Sequence, residues 1–401
     1  MASNEQKRRQ NMELVIDPVD RLAGNLDLTN EILKRLSFKS SIRCMTVCNN
    51  WYGLIQTINT LKSGKISGLF YHVPSLPLGR YQFIPLLDGE DDSAFTVNPY
   101  LQCQFEHSRI LQSSNGVLLL YNSFPMRRYY VYNTANKEHS VLPELSSDYI
   151  MSISLAFTEP FQYKVIALLR LSGRPVQILI YSSGEGEMWR FVEDIVIEII
   201  PGVKFLEGVC WNNSMIWVNF NPHMHSLMFD LDNETLLPIA SPPIRYPYKK
   251  ETISCKESQG RLYFIEFDCY YTLSKFHVYE LEKDEMKWLL RYNVDLGDYI
   301  KESKLDWSRQ NLPILLSLIH GDNKEETGLL LYTNCQVLSY KLKNKACVKV
   351  CDLNIDVEKY KYFRHWGHKC ILYHEMPVHP LKSFSGETTE NAATGVSHLS
   401  N

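Results

Sequence analysis

The sequence lacks several features that would point to common kinds of partner. Its 401 residues carry a formal net charge of -3, so no overall positive field exists to hold a phosphate backbone or an anionic membrane. No run of about 18 apolar residues occurs, and residues 1–20 contain no apolar segment like that of a signal peptide. We therefore expect neither nucleic acid nor membrane as a partner, and a location in the cytoplasm, the nucleus or both.

The sequence also lacks the short motifs of several enzyme classes. No GxSxG, P-loop or HExxH pattern occurs, and the 10 cysteines are scattered without a CxxC pair. In a reducing compartment these cysteines are expected to remain thiols, most of them as small core residues. We expect no catalytic residue, no metal and no cofactor.

Aromatic residues, in contrast, are abundant. The chain has 24 Tyr, 17 Phe and 7 Trp, and its hydrophobic content of 45% is sufficient for a large core. Tyr, Phe and Trp favour pleated, half-buried surfaces. The composition therefore predicts a β-rich body.

A helical pattern precedes this body, in two short segments on either side of Ser37. Apolar residues recur at helical spacing in both segments: Leu28, Ile32, Leu33 and Leu36 in the first, and Ile42, Val47, Cys48, Trp51 and Ile55 in the second. Asp27 and Ser37 are placed to cap the two helices. Helices this short are not stable alone, so the apolar stripe needs a partner, either the body of this chain or another protein.

Residues 26–55 resemble an F-box, the adaptor-binding module of Skp, cullin and F-box (SCF) ubiquitin ligases, in its plant form. The resemblance is carried by Asp27, Leu28, Glu31-Ile32-Leu33, Arg35-Leu36, Lys39-Ser40, Ile42-Arg43, Val47-Cys48, Trp51 and Leu54-Ile55. The chain departs from the family pattern where Gly24-Asn25 replaces the usual Leu-Pro, and where Ser37 replaces the Pro between the helices.

This resemblance implies a Skp-type adaptor as partner and, through it, a cullin. The residues it assigns to adaptor binding are Leu28, Ile32, Leu33, Leu36, Val47, Cys48 and Trp51. Recognition of a helix in a groove uses apolar anchors at this kind of spacing. The alternative is that the same stripe packs on the chain's own body.

The rest of the chain repeats with a period near fifty residues. Five segments, beginning at residues 129, 178, 227, 276 and 337, each contain an apolar strand, a polar turn and a second strand. The aromatic residues that align in them are Tyr132, Tyr181, Phe229, Tyr279 and Tyr340, at spacings of 49, 48, 50 and 61 residues. This period predicts a mainly antiparallel β-propeller of six to seven blades, with a loop inserted within residues 293–313.

Four of the five hairpins follow a second kind of segment, in which a turn with Gly or Asn precedes a short apolar strand. We interpret the strands of "SSNGVLLLYN", "EGVCWNNSMIWVNF", "ESQGRLYFIEF" and "EETGLLLYTN" as the inner strands of the blades. Trp211, Trp217 and the recurring Tyr and Phe residues are predicted to pack between blades.

This region is similar to the F-box-associated domain of plant F-box proteins, and is kelch-like at most. The similarity is carried by Asn115-Gly116-Val117-Leu118-Leu119-Leu120, Tyr130-Val131-Tyr132-Asn133 with Leu142-Pro143, Trp211-Asn212-Asn213, and Phe229-Asp230-Leu231.

Two groups of residues are candidates for chemical sites, one for a metal and one for hydrolysis. The stretch "HWGHKCILYHEMPVHP" gathers His365, His368, Cys370, His374 and His379, but residues three apart on a strand point to opposite faces, which favours a terminal blade strand over a metal site. The pairs Glu266 with Asp268 and Glu185 with Glu187 offer the two carboxylates of a glycoside hydrolase. Acidic residues two apart are common near turns, so an enzyme is the weaker interpretation.

The predicted organisation is an α+β multidomain chain with a small helical F-box module and a β-propeller. We expect a disordered tail at residues 1–17, the F-box at 18–62, the propeller at 63–382 and a second disordered tail at 383–401. The predicted function is a non-catalytic substrate receptor of an SCF-type ligase, and the alternative is a propeller scaffold without an adaptor. The target and the residues that bind it are unknown; loops 221–226 and 267–272 are the first places to look.

Overall fold

The structure is a computed structural model. It describes residues 26–35, 44, 47–48, 50–51, 53–55, 66–72, 80–85, 100–102, 108–123, 127–134, 138–145, 150–159, 162–170, 176–184, 188–193, 195, 203, 205–219, 221, 223–244, 253–258, 260–268, 274–303, 314–319, 327–333, 336–352 and 370–374.

Contacts between Cα atoms divide the chain into two compact units. The first contains residues 1–65 and 375–379, and the second contains residues 66–374 and 380–401. In the first unit, helix α1 (Leu26–Arg35) has the predicted spacing, but Asp27 lies in its first turn instead of preceding it as a cap. The domain limits at residues 62 and 382 stay predictions, and both predicted tails lie outside the described residues.

The second unit consists mainly of antiparallel strands. Its described residues form six four-stranded sheets, which we number I to VI in chain order. Sheet I contains β1 (Ile66–His72), β2 (Arg80–Pro85), β3 (Tyr100–Gln102) and β24 (Cys370–His374). Sheet II contains β4 (Ser108–Ser114), β5 (Val117–Asn122), β6 (Arg128–Asn133) and β7 (His139–Val141). Sheet III contains β8 (Ile150–Glu159), β9 (Gln162–Arg170), β10 (Val176–Ser182) and β11 (Arg190–Phe191).

The other three sheets follow the same order of strands. Sheet IV contains β12 (Val209–Trp211), β13 (Ser214–Trp217), β14 (Ser226–Asp230) and β15 (Leu236–Ile239). Sheet V contains β16 (Ile253–Ser258), β17 (Arg261–Phe267), β18 (Lys275–Glu282) and β19 (Lys287–Asp295), followed by helix α2 (Gly297–Ser303). Sheet VI contains β20 (Ile314–Ile319), β21 (Gly328–Thr333), β22 (Gln336–Lys341) and β23 (Cys347–Asp352).

The innermost strands define the architecture. Strands β4, β8, β12, β16, β20 and β24 each belong to a different sheet, and they lie next to one another in a closed cycle. Sheet I pairs β24, from late in the chain, with β1, the first strand of the second unit. This pairing closes the ring with hydrogen bonds between strands distant in sequence. The predicted β-propeller is confirmed.

The period found in the sequence marks one strand in each of five sheets. The five aligned aromatic residues lie on the third strand from the centre, on β6, β10, β14, β18 and β22. The strand that follows each of them pairs antiparallel with it, as the hairpin pattern predicts. The equivalent strand of sheet I is β2, which the period did not reveal.

The prediction of the inner strands was wrong for most of the apolar segments. Strands β5, β13, β17 and β21 are second strands, and the innermost position belongs to the strand before each of them. A second strand has a neighbour on both sides and a packed sheet on both faces, so we expect it to be the most apolar strand of its sheet. The innermost strand β4, "SRILQSS", carries more polar side chains than its neighbour β5, "VLLLYN", whereas the innermost strand β20, "ILLSLI", is as apolar as a second strand.

The predicted loop within residues 293–313 was also wrong in part. Residues Gly297–Ser303 form helix α2, with Asp298 in the first turn and Lys301 in the last. The Asp295 carboxylate supports the start of this helix, because its Oδ1 accepts hydrogen bonds from the Gly297 N–H at 2.9 Å and from Ser274 Oγ at 2.8 Å. Burial alone would raise the pKa of Asp295, but these hydrogen bonds hold it below its ordinary value.

The core of the propeller lies between neighbouring sheets. Five hydrophobic clusters each combine side chains of two consecutive sheets, from I with II to V with VI. Their largest fully buried members include Phe70, Tyr163, Trp217, Phe264 and Phe276, in that order around the ring. Aromatic residues therefore hold sheet to sheet, as predicted.

Candidate functional site

Helix α1 has one face turned into the core of the helical unit. Thr29 and Leu33, one turn apart, are only 1% and 0% exposed. Leu33 and Ile55 form a small buried cluster against which Cys44, Trp51 and Leu54 pack. The unit therefore has a hydrophobic core of its own.

The adjoining face of α1 is exposed and apolar. Leu28 and Ile32, also one turn apart, are 49% and 39% exposed, and Val47 is 61% exposed. We call Leu28, Ile32 and Val47 the outer stripe. Cys48, next to Val47, is exposed as well. Leu28 and Ile32 are neighbours on the helix surface, and large apolar side chains exposed side by side are typical of a surface that binds another molecule.

The structure thus separates the residues assigned to adaptor binding. Leu28, Ile32, Val47 and Cys48 are exposed, whereas Leu33 and Trp51 belong to the internal cluster. Leu36 lies outside the described residues. Helical spacing does not distinguish the two groups, because positions 28, 29, 32 and 33 occupy one continuous arc of a helix.

Comparison with known proteins agrees with this geometry. Residues 25–63 match the family model described as the F-box domain. The chain is also similar, over most of its length, to a known F-box protein. It is 28% identical to an F-box protein of Arabidopsis thaliana, in a match that covers 81% of this chain and 85% of the relative. The match extends well beyond the F-box into the propeller.

Solved structures with related shapes are more distant. A DUF4784 family protein of Bacteroides caccae is 11% identical with a TM-score of 0.42, covering 72% of each chain. The protein YCF48 bound to D1 peptide is 10% identical with a TM-score of 0.38, covering 75% of this chain and 84% of that one. The propeller fold is therefore assigned from the strand order of this chain itself.

The loops named as places to look for a target occupy equivalent positions in two neighbouring sheets. Loop 221–226 joins β13 to β14 in sheet IV, and loop 267–272 joins β17 to β18 in sheet V. In the first loop, Asn221 Oδ1 accepts a hydrogen bond from the His223 N–H at 3.0 Å, and the Asn221 carbonyl accepts one from the Met224 N–H at 3.0 Å. Most of the second loop lies outside the described residues. Target binding at these loops stays a prediction.

The groups considered for catalysis are buried where they are described. Glu266 is 0% exposed and Asp268 is 7% exposed, so neither carboxylate is open to a polysaccharide chain. Glu185 and Glu187 lie outside the described residues. Burial raises the pKa of Cys255 to about 12 and that of Cys210 to about 11, which keeps both thiols protonated near neutral pH.

The histidine-rich stretch shows its predicted strand. Cys370 and His374 are the first and last residues of β24, and His365, His368 and His379 lie outside the described residues. Among the described residues, no three His, Cys, Asp or Glu side chains are grouped in a way that could hold a metal ion. In that same part of the chain, no helix has the length and apolar character needed to cross a membrane.

Proposed function

We propose that this protein is the substrate-recognition subunit of an SCF-type cullin-RING ubiquitin ligase. Its F-box binds a Skp-type adaptor and, through it, a cullin, in the cytoplasm, the nucleus or both. Each of the six sheets is one blade of the propeller, which holds the target protein. The role requires no catalytic group on this chain. Holding the target close to a ubiquitin-charged enzyme raises the rate of ubiquitin transfer by proximity.

The observation that carries this proposal is the outer stripe beside an independent core. Because Leu33 and Ile55 already form the module's interior, the stripe is not needed for internal packing. Leu28 and Ile32 instead present apolar area one helical turn apart, the spacing used when a helix lies in a partner's groove, and Val47 adds exposed apolar area outside the helix. In this proposal they and Cys48 contact the adaptor, while Leu33 and Trp51 hold the stripe in place.

The strength of the contact can be estimated from exposure. Fully burying a Leu or Ile side chain is worth about 1.5–3 kcal/mol, so covering the exposed parts of Leu28 and Ile32 contributes about 1 kcal/mol each. Together they account for about 2 kcal/mol, or about a 30-fold change in Kd. Replacing both with Asp adds the cost of burying charge at the interface.

The test is the affinity of the purified full chain for a purified Skp-type adaptor, measured by biolayer interferometry. The variant Leu28→Asp, Ile32→Asp should weaken binding at least 30-fold. A matched control is Leu237→Asp, Leu290→Asp, because these propeller leucines are 49% and 50% exposed. The control should bind like the wild type.

Two outcomes would reject the proposal. If the wild-type chain does not bind the adaptor, a propeller scaffold without an adaptor becomes the better account. If the stripe variant binds as tightly as the control, the adaptor contact lies elsewhere on the chain.

A further inference from the structure

A charged cleft lies between sheets IV and V of the propeller. It has a volume of about 450 Å³, and its walls include Trp211 of sheet IV and Gly260, Arg261, Glu280 and Arg291 of sheet V. The turn between β12 and β13 and the turn between β16 and β17 border it. Both turns leave the ends of innermost strands, at the opposite end of the sheets from loops 221–226 and 267–272.

Two arginines converge on one carboxylate in this cleft. Arg261 Nη1 donates to Glu280 Oε1 at 3.1 Å, and Arg291 Nε donates to Glu280 Oε2 at 2.9 Å. The Glu280 side chain is only 11% exposed, while those of Arg261 and Arg291 are 48% and 43% exposed. The carboxylate therefore lies beneath two guanidinium groups that reach solvent.

The ion pairs leave some guanidinium N–H groups able to donate hydrogen bonds on the solvent side. A guanidinium has five N–H donors, and Arg291 uses its Nε on Glu280. Within the described part of the chain, the Nη groups of Arg291 donate to no protein atom. Arg261 uses Nη1 on Glu280 and also hydrogen-bonds the Tyr263 side chain.

The side chains that line the cleft carry a net positive charge, while Glu257, outside the lining, accepts a hydrogen bond from the Gly260 N–H at 2.7 Å. The lining has three cations, Arg261, Arg291 and Lys283, against two carboxylates, Glu280 and Glu282. Glu280 needs only one arginine to be neutralised, so the second makes the site positive. A positive site with exposed guanidinium edges suits a carboxylate or phosphoryl group, which arginine binds through paired hydrogen bonds.

The turns that form the wall are fixed in place and leave the cleft open. The Trp211 indole N–H donates to the Gly260 carbonyl at 2.9 Å and so joins the turns of two sheets. Gly260 has a φ of +74°, in the left-handed region, and no heavy atom lies within 4 Å of the position that a Cβ would occupy. The border of the cleft is therefore fixed by the turns, and the ion pairs with Glu280 hold the two guanidinium groups beside it, which reduces the entropic cost of binding.

We propose that this arginine cleft, formed by Trp211, Gly260, Arg261, Glu280, Lys283 and Arg291, binds an anionic group on a segment of the target protein. The group is a carboxylate of an acidic side chain or a phosphoryl group on a modified one. This inference rests on the proposed receptor function, and it adds that the target segment carries a negative charge. A purely structural ion-pair cluster is the competing account, and it predicts no selectivity among peptides.

The test uses the full chain bound to the adaptor and three fluorescein-labelled peptides, read by fluorescence anisotropy. The peptides share one ten-residue Gly-Ser-Ala sequence and differ at two central positions, which carry Glu, phosphoserine or Gln. The proposal expects the Glu peptide, the phosphoserine peptide or both to bind at least tenfold more tightly than the Gln peptide. The relative affinity of the two anionic peptides identifies the source of the charge, and added NaCl should weaken binding.

Variants locate the binding on the cleft. Arg291→Gln and Lys283→Gln should each weaken binding of the anionic peptide at least fivefold. Lys283 forms no ion pair with Glu280, so its replacement leaves the ion pairs of Glu280 with Arg261 and Arg291 intact. The matched control is Arg190→Gln, since Arg190 pairs with Glu234 between sheets III and IV and is 49% exposed.

The proposal is overturned if neither anionic peptide binds below 1 mM, if the Gln peptide binds equally well, or if the cleft variants behave like the control. Adaptor affinity is measured on the same samples. If peptide selectivity is absent while adaptor binding is intact, the cleft proposal is rejected and the receptor function is not. Failure to bind the adaptor rejects the receptor function, and the peptide measurements are then made on the chain by itself.

Discussion

Replacement of Gly208 by Ala tests how the propeller sheets are joined. Gly208 lies just before β12, and a Cβ there would meet Ser154 Oγ at 2.5 Å, Met215 Sδ at 2.7 Å and Trp217 Nε1 at 2.7 Å. Its own N–H donates to Ser154 Oγ at 3.1 Å, and its carbonyl accepts from Gln112 Nε2 at 3.4 Å. Three consecutive sheets, II, III and IV, therefore meet at this glycine.

The expected cost follows from these distances. Ordinary contacts of a methyl carbon begin near 3.5 Å, so each of the three atoms must move by about 1 Å in a closely packed interior. Overpacking of this kind costs about 1–3 kcal/mol, and loss of the hydrogen bond to Ser154 adds about 1 kcal/mol. We expect Gly208→Ala to lower the free energy of unfolding by about 2–4 kcal/mol. At about 2–4 °C per kcal/mol, Tm should fall by roughly 4–16 °C.

The measurement is thermal and urea denaturation of the full chain, followed by circular dichroism. Gly184→Ala is the matched control, because the nearest atoms to its Cβ belong to Gln162 and lie at 3.7–3.8 Å, an ordinary contact distance. The control should change stability by less than about 0.5 kcal/mol. A Gly208→Ala chain as stable as the Gly184→Ala chain would refute the close packing of these sheets.

Three further predictions concern other parts of the chain. Leu33→Ala should destabilise the helical unit by about 2–5 kcal/mol, because Leu33 is fully buried, and a urea midpoint equal to that of the wild type would contradict its place in the core. Iodoacetamide should label Cys48 quickly in the free chain and slowly in the adaptor complex, and should label buried Cys255 only after unfolding, as peptide mass mapping can show. The hydrogen bond from Arg190 lowers the pKa of Glu234, so the stability it contributes is present above the unfolded pKa of about 4.3 and is lost as pH falls through the lower folded value. Because both side chains are partly exposed, the effect should stay below about 1 kcal/mol; Arg190→Gln should remove it from the urea midpoints measured between pH 7 and pH 3, and an unchanged pH dependence would show that the pair contributes nothing.

Local patterns of the sequence predicted those parts of the fold that depend on near neighbours. The hairpins of the third and fourth strands were visible because a turn of four or five residues repeats between them, with Glu234, Met286 and Lys345 in the left-handed region near the start of the fourth strand. The Asn115-Gly116 turn joins β4 to β5, and both of its residues have positive φ, 49° and 71°. Each of these signals involves residues close together in the chain.

Contacts between distant residues were not predicted. Strand β24 completes sheet I by pairing with β1, and neither segment shares the fifty-residue period. The innermost strands were missed for a related reason: their position follows from the closure of the ring, and their compositions range from the polar β4 to the apolar β20. Helix α2 was missed because its short, charged segment resembles a loop until Asp295 and Ser274 are placed beside it.

The sequence by itself determined that a helical F-box precedes a repeating β body, because helical and strand periodicities are properties of neighbouring residues. Only the tertiary structure decided which part of the apolar arc on α1 faces inward: Ile55 covers Leu33 and leaves Leu28 exposed. It also decided that Arg261 and Arg291, thirty positions apart, share Glu280. Side chains on three strands meet there only because the strands are paired in one sheet, and no local pattern encodes that pairing.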